Sequence, residues 1–337
     1  MPQHEVFIDL NHYRLMHGPI MVSFDITQRC NLRCVHCFNN SGDQAPNADM
    51  PRDTKLAIAR QVAEMHPFNV CLCGGECLCS PELFEIMDIL RPHVAKLSMV
   101  SNGWLISEKM AKQLAEHGLD LAQISIDGAN AWQHDSFRGV MGSFERATAA
   151  VRNLRAAGIS TVDVSMVPNQ LNYRSLEEYA ELCWSLGVNQ VRLMPFLPSG
   201  RGRSVGRCLM LDEGQYFEFC RTLERLDQAY KGRLMFQWGD PIDHMRRMPR
   251  NASFGLHTYA MEIKANADLT LSTYLPVLVG NCKRHTLREY WDGGFKTLWA
   301  HEHLTRYTDQ IRNIYDLETF EPAPYSGETV MHDLLEG

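Results

Sequence analysis

No stretch of the 337-residue chain reaches the run of about 18 apolar residues that a membrane-spanning helix needs. The N-terminus, MPQHEVFIDLNHYRL, lacks a basic segment leading into an apolar core, so it does not read as a secretory signal. No internal repeat or low-complexity tract appears, which excludes repeat architectures. Positive charge is also short. Lys and Arg number 33 against 40 Asp and Glu, a net charge of −7, which argues against a nucleic acid held by bulk electrostatics. The remaining class is a cytoplasmic globular protein with neither membrane nor nucleic acid as partner. Its 45% hydrophobic and 22% charged residues suit one large or two modest domains.

Cysteine, by contrast, is abundant. There are 11, an odd number in a chain without a secretory signal, so a disulfide framework is a poor reading and metal or catalysis a better one. Cys30, Cys34 and Cys37 form one group and Cys71, Cys73, Cys77 and Cys79 a second. Cys183, Cys208, Cys220 and Cys282 are scattered.

Strand-like runs at 21–27, 69–73, 95–101, 121–126, 161–167 and 189–195 alternate with helix-like stretches at 52–66, 81–91, 107–117, 143–157 and 174–186. Ser107 with Glu108, and Ser175 with Glu177, sit where helix N-termini need a cap and acidic charge. Such alternation predicts a parallel α/β domain of six units, two short of a full eight-unit barrel, with its chemistry at the C-terminal ends of the strands. The segment PSGRGRSVGR, 198–207, reads as a loop or hinge. A helix over 211–230, short strands at 233–237, 256–265 and 268–272 and a helical stretch at 286–301 then make a smaller α+β appendage. The division is 1–20 as an N-terminal extension, 21–207 as core, 208–315 as C-terminal domain and 316–337 as tail.

Cys30-Asn-Leu-Arg-Cys34-Val-His-Cys37 follows the first strand with the spacing C-x3-C-x2-C. A [4Fe–4S] cube takes four ligands, usually Cys, so three local thiolates leave one iron open to an exogenous ligand. Zinc is the competing reading, but its sites favour C-x2-C halves with a second such pair, and no second pair stands here.

On these residues the segment resembles the radical S-adenosylmethionine (radical SAM) superfamily, whose loop holds a site-differentiated [4Fe–4S] cluster. The position before its third Cys is usually aromatic; here it is His36, with Phe38 following the Cys. Gly74-Gly75-Glu76 looks like the turn that holds the methionine amino group. Ser101-Asn102-Gly103 is similar to a family turn near the cofactor. Ser125-Ile126-Asp127-Gly128 with His134-Asp135 and Arg138-Gly139 resembles a stretch in which Ser125 would contact the cofactor and Arg138 its carboxylate. Leu193 and Met194, within Val191–Pro195, resemble the apolar wall beside adenine. Each motif alone is usually a turn; ordered over about 20–195, they are specific. The resemblance implies a partial (β/α)6 TIM barrel.

This chain departs from the family at Cys77, where GGE is usually followed by Pro. The four cysteines around that turn could be imagined as a second metal site. Cys71 and Cys73 alternate on a strand and face one side, while the other pair sits across a turn, so the favoured reading is small, half-buried thiols, with Cys73 lining the site. Residues 261–291 resemble the SPASM/twitch extension, with Gly280-Asn281 and Leu287–Trp291 matching loosely. Ser272 stands where that family places a ligand Cys. Two auxiliary cubes need about seven or eight thiolates, and only Cys208, Cys220 and Cys282 lie beyond the core. One cluster is therefore expected.

The resemblance implies an enzyme that reductively cleaves S-adenosylmethionine to a 5′-deoxyadenosyl radical, which abstracts hydrogen from a ribosomally made peptide. The product would be a cross-link or an epimerised residue. Epimerisation needs a hydrogen donor, for which Cys208, Cys220 and Cys282 are candidates. The leader of such a peptide would bind directly or through a separate recognition protein, since 29 residues before the motif are too few for a fused one. A flavodoxin- or ferredoxin-type protein would supply single electrons. The rivals are a radical dehydrogenase or epimerase of a sugar or aminocyclitol, and a non-catalytic iron–sulfur protein. Arg201, Arg203 and Arg207 read as a solvated loop sooner than an acidic-peptide site, and His244 as part of a surface cluster.

Overall fold

The computed structural model describes residues 17–42, 49–253, 255, 258–320 and 330–336. Residues 1–16 of the expected N-terminal extension, and 321–329 and 337 of the expected tail, lie outside the described residues.

The six expected strands form as β1 (Met21–Asp25), β2 (Asn69–Cys73), β3 (Lys96–Ser101), β4 (Leu121–Ser125), β5 (Thr161–Met166) and β6 (Gln190–Leu193). Two more, β7 (Met235–Trp238) and β8 (Ala260–Ile263), join the same parallel set. A hairpin of β9 (Asp268–Thr270) and β10 (Val277–Asn281), with β11 (Val330–Met331), extends the β8 edge. The whole is one sheet in the order β11-β10-β9-β8-β1-β2-β3-β4-β5-β6-β7. Since β8 pairs with β1 rather than with β7, the eight parallel strands make an open barrel. The sheet runs without a break across position 207.

The alternation in each strand decides which face it buries. Val22, Phe24, Val70, Leu72, Leu97, Met99, Ala122, Ile124, Val162, Val164, Val191 and Leu193 are fully buried, in the apolar core that the helices share. Each such Val or Leu contributes about 1.5–3 kcal/mol by leaving water. Their neighbours Ser23, Asp25, Cys71, Cys73, Ser98, Gln123, Asp163 and Arg192 take the other, inner face. In a flat sheet, strands four apart would stand roughly 19 Å from each other, yet Arg192 of β6 bears on the Cys71 thiol of β2. The sheet therefore curls around a polar inner face.

The connecting helices are α1 (Arg52–Glu64), α2 (Leu83–Leu90), α3 (Glu108–Glu116), α4 (Ala131–Arg138), α5 (Ser143–Ala156) and α6 (Leu176–Leu186), then α7 (Gly202–Leu209), α8 (Glu213–Ala229), α9 (Pro241–Ser253) and α10 (Leu287–Asp292). Two short helices follow, α11 (Glu302–Thr308) and α12 (Asp316–Thr319). Ser107 caps α3 by accepting from the Met110 amide at 3.2 Å, as its position predicts. Ser175 does not cap α6; its hydroxyl takes a bond from Gln133 instead. Part of the segment read as a loop, 202–207, lies in helix α7, with Gly202 and Gly206 buried. In the extension, Gly280 is fixed by packing, because a Cβ there would lie 2.3 Å from the Tyr290 ring.

Candidate functional site

The cysteine loop leaves the C-terminal end of β1. Its backbone is zipped to the Gly74-Gly75-Glu76 turn that leaves β2. The Gly75 amide donates to the Thr27 carbonyl and the Glu76 amide to the Arg29 carbonyl, each at 2.8 Å. Both glycines are required by this contact: a Cβ would stand 2.2 Å from the Thr27 carbonyl at Gly74 and 2.3 Å from the Arg29 carbonyl at Gly75. Gly74 also has φ +134°, which an L side chain rarely adopts. Asp49 steadies the root of the loop, accepting from Thr27 Oγ1 and the Gln28 amide at 2.6 Å each.

Cys34 is buried and Cys30 and Cys37 are half-buried. Burial pushes the Cys30 thiol up to about 12. Burial also raises Cys34, against the pull of the Arg138 guanidinium, whose Nη1 stands 3.8 Å from its sulfur. Among the described residues no three His, Cys, Asp or Glu side chains are gathered tightly enough to hold a single metal ion. An all-thiol donor set on one loop, against a glycine turn that admits no side chain, fits an iron–sulfur cluster.

The other motif residues are placed around this loop. Glu76 is buried and accepts from the Asn102 amide at 2.8 Å and Ser101 Oγ at 2.9 Å; burial raises its carboxyl while these donors oppose the rise. Asn102 Nδ2 reaches Asn31 Oδ1 at 2.9 Å and stands 3.9 Å from Cys30 Sγ. His36 stacks on Phe137, with ring centroids 3.7 Å apart and planes 2° from parallel. Burial and the Arg138 charge push the imidazole down to about 3, so it is neutral. Phe38 is half-buried against the core. Ser125, at the end of β4, is buried.

Arg138 is occupied within the protein. Its Nε donates to Asp127 Oδ2 at 2.6 Å, while Asp127 Oδ1 accepts from the Val167 amide at 2.9 Å. Burial is the largest influence and would raise the Asp127 carboxyl, but Arg138, His36, His134 and the Val167 amide together hold it below the ordinary range. Leu193 is fully buried on the face opposite Arg192, and Met194 is half-buried. In the second cysteine group, Cys77 is buried with its sulfur 3.5 Å from the Val100 carbonyl, and Cys79 is half-buried near Asn31. Cys208 and Cys220 are exposed, and Cys282 is enclosed, with its thiol pushed up to about 12 by burial.

Sequence reasoning missed Arg201. Its side chain turns inward, Nε donating to the Cys34 carbonyl at 3.0 Å and Nη1 to the Ser41 carbonyl at 2.7 Å, and its amide donates to the Cys37 carbonyl at 3.0 Å. The preceding Gly200, at φ +52°, lies so close that a Cβ would meet the Phe38 carbonyl at 2.4 Å. Arg201 is a staple of the cysteine loop. The only sequence signal was a Gly-Arg pair just after a strand. His244, too, differs from its surface reading: Trp299, Tyr259 and Tyr274 surround it at 5.3 to 6.5 Å, and burial pushes it down to about 4.

The radical SAM superfamily model matches residues 24–183, from β1 to α6. Mycofactocin maturase MftC of Mycolicibacterium smegmatis is 34% identical over 300 residues, covering 87% of this chain and 73% of that protein. The chain belongs to the radical SAM superfamily. Enzymes of that family use S-adenosylmethionine and a [4Fe–4S] cluster. The MftC of Mycobacterium tuberculosis is 36% identical over 192 residues, which cover 57% of this chain and only 48%, about half, of that relative. Among solved structures, Streptococcus suis SuiB bound to S-adenosylmethionine superposes with a TM-score of 0.67 at 14% identity, over 90% of this chain and 70% of SuiB. That likeness establishes the fold, an open radical SAM barrel with an extended sheet. No helix of the described residues is long and apolar enough to cross a membrane.

Proposed function

We propose that this radical SAM enzyme abstracts a hydrogen atom from a ribosomally made peptide, using one [4Fe–4S] cluster, and leaves a cross-link or an epimerised residue. The observation that carries the reading is the MftC likeness, which covers 87% of this chain and 73% of that relative. Cys30, Cys34 and Cys37 would hold the cluster. With S-adenosylmethionine bound, that cluster would supply one-electron reductive cleavage and radical chemistry at a C–H bond. The protein's own residues bind, orient and exclude water. Glu76 offers a buried carboxylate to an ammonium group, and Ser125, Ser101 and Asn102 line the same end of the sheet. Arg138 acts on the Cys34 side of the site through its ion pair with Asp127. Residues 21–207 carry this chemistry and 208–315 shape access to it.

A single cluster is supported by what lies past residue 207. Cys208 and Cys220 are exposed on two different helices, Cys282 is enclosed, and Ser272 is buried on the hairpin with its hydroxyl accepting from the Tyr274 amide. Single electrons would come from a flavodoxin- or ferredoxin-type protein, and the peptide's leader would bind this chain or a separate recognition protein.

Anaerobic reconstitution with iron and sulfide, followed by S-adenosylmethionine and dithionite, tests the reading. About four irons per chain and formation of 5′-deoxyadenosine are expected. A loaded cluster without 5′-deoxyadenosine refutes the chemistry, and eight or more irons per chain refute the single cluster.

A further inference from the structure

β2 carries two cysteines that the cluster loop leaves unused. Val70 and Leu72 enter the helix-packed core, so Cys71 and Cys73 emerge together on the inner face of the sheet. Their sulfurs lie 3.4 Å apart, within reach of one shared proton. Ser23 of the neighbouring strand donates its hydroxyl to Cys73 Sγ at 3.6 Å. Both thiols are half-buried, whereas Cys77, Cys183 and Cys282 are closed off. Cys73 stands immediately before the Gly74-Gly75-Glu76 turn, so of the two it is nearer the cysteine loop. The hydrogen bond with Cys73 holds the Cys71 thiol below its ordinary range against burial, helped by Ser98 and Arg192; the same bond raises Cys73. Of the two, Cys71 gives up its proton more readily and Cys73 keeps its S–H.

We infer that Cys73 and Cys71 form a hydrogen-atom-donating dithiol, in which Cys73 returns hydrogen to a carbon radical at the inner face and Cys71 captures the sulfur radical. The inference rests on the radical SAM reading and narrows its outcome to C–H replacement, as in epimerisation. The Cys73 S–H bond breaks and a C–H bond forms, leaving a Cys73 thiyl. Cys71 loses its proton to solvent and its sulfur bonds to the thiyl, giving a disulfide radical anion. A one-electron acceptor of the iron–sulfur or flavin class takes the extra electron, and a disulfide remains. Two electrons and two protons from a dithiol reductant restore the pair. Cys208, Cys220 and Cys282 lack this placement: the first two are exposed on α7 and α8, and the third is enclosed in the extension.

Two measurements on the cluster-loaded protein test this. Phenylarsine oxide, which bridges paired sulfurs, should add once, on the segment 69–79, and should fail to add in both Cys71→Ser and Cys73→Ser. With S-adenosylmethionine and dithionite in D2O and no peptide, the 5′-deoxyadenosyl radical itself is the probe. 5′-Deoxyadenosine should carry deuterium from the exchanged thiol, and Cys73→Ser, whose O–D bond is too strong to donate, should lose the label. Cys73→Ala serves as the second variant, compared at matched iron content and melting midpoint. An unchanged label in either Cys73 variant, or no arsenical bridge in the wild type, overturns the dithiol and leaves the radical SAM reading standing. Absence of any 5′-deoxyadenosine from a loaded wild type overturns both.

Discussion

Replacing Arg138 by Met isolates the ion pair with Asp127. Asp127 is 1% exposed, and its Oδ2 takes the guanidinium Nε at 2.6 Å. The substitution leaves that carboxylate buried with only backbone donors such as the Val167 amide. Breaking a buried pair from one side costs about 3–5 kcal/mol, because the surviving charge is uncompensated. At about 2 °C per kcal/mol for a chain of this size, the melting midpoint at pH 7 should fall by about 6–10 °C. The pH dependence gives the sharper signature. In the wild type the Asp127 pKa is depressed, so its contribution is present above the unfolded carboxylate value and is lost as pH falls through the folded one. Without Arg138, burial wins and the folded pKa rises above the unfolded value. The variant should then regain stability as pH falls from 7 towards 5, narrowing the gap to wild type. Asp127→Asn combined with Arg138→Met should recover much of the loss. A fall of less than about 1 kcal/mol at pH 7, or a gap that does not change with pH, would refute the reasoning.

Three other outcomes follow from the site. Cys34→Ala should abolish 5′-deoxyadenosine formation and lower bound iron, whereas Cys79→Ala, beside the loop, should keep both; loss in the second variant would make Cys79 a ligand. Gly75→Ala should cost more than about 2 kcal/mol and lower iron retention, since its Cβ would meet the Arg29 carbonyl at 2.3 Å; a melting curve like wild type would contradict the packing. Arg201→Met removes charged donors to the Cys34 and Ser41 carbonyls, worth about 1.5–3 kcal/mol each before relaxation. The cluster's absorbance should then decay faster in air while binding of an acidic test peptide is unchanged; the reverse pattern would restore the peptide-binding reading of that segment.

Much of the core was legible because its signals are local. Strand periodicity located β1 to β6 within a few residues, and the cysteine spacing and the GGE turn sat where each strand ends. What escaped depended on distant partners. The pairing of Met21 with Ala260 leaves no trace near either residue, so β7 and β8 were read as part of an appendage although they extend the parallel sheet. α7 was hidden by its glycines, which are there because the helix packs closely; a Cβ at Gly202 would lie 2.9 Å from the Leu197 carbonyl. α4 is eight residues long and was masked by its motif residues. Arg201 and His244 were assigned to solvent by residue type, and only tertiary packing turned them inward.

The register of β1 also sets an order of events during synthesis. This strand, whose end launches the cysteine loop, is flanked by β2 on one side and by β8 on the other, from residue 69 and residue 260. Until the later partner emerges, β1 is an unprotected sheet edge, open to pairing with other chains. Contacts of such long sequence separation form slowly. The nascent cysteine loop therefore hangs from an unfinished edge for most of translation, a window in which chaperone cover would favour correct assembly.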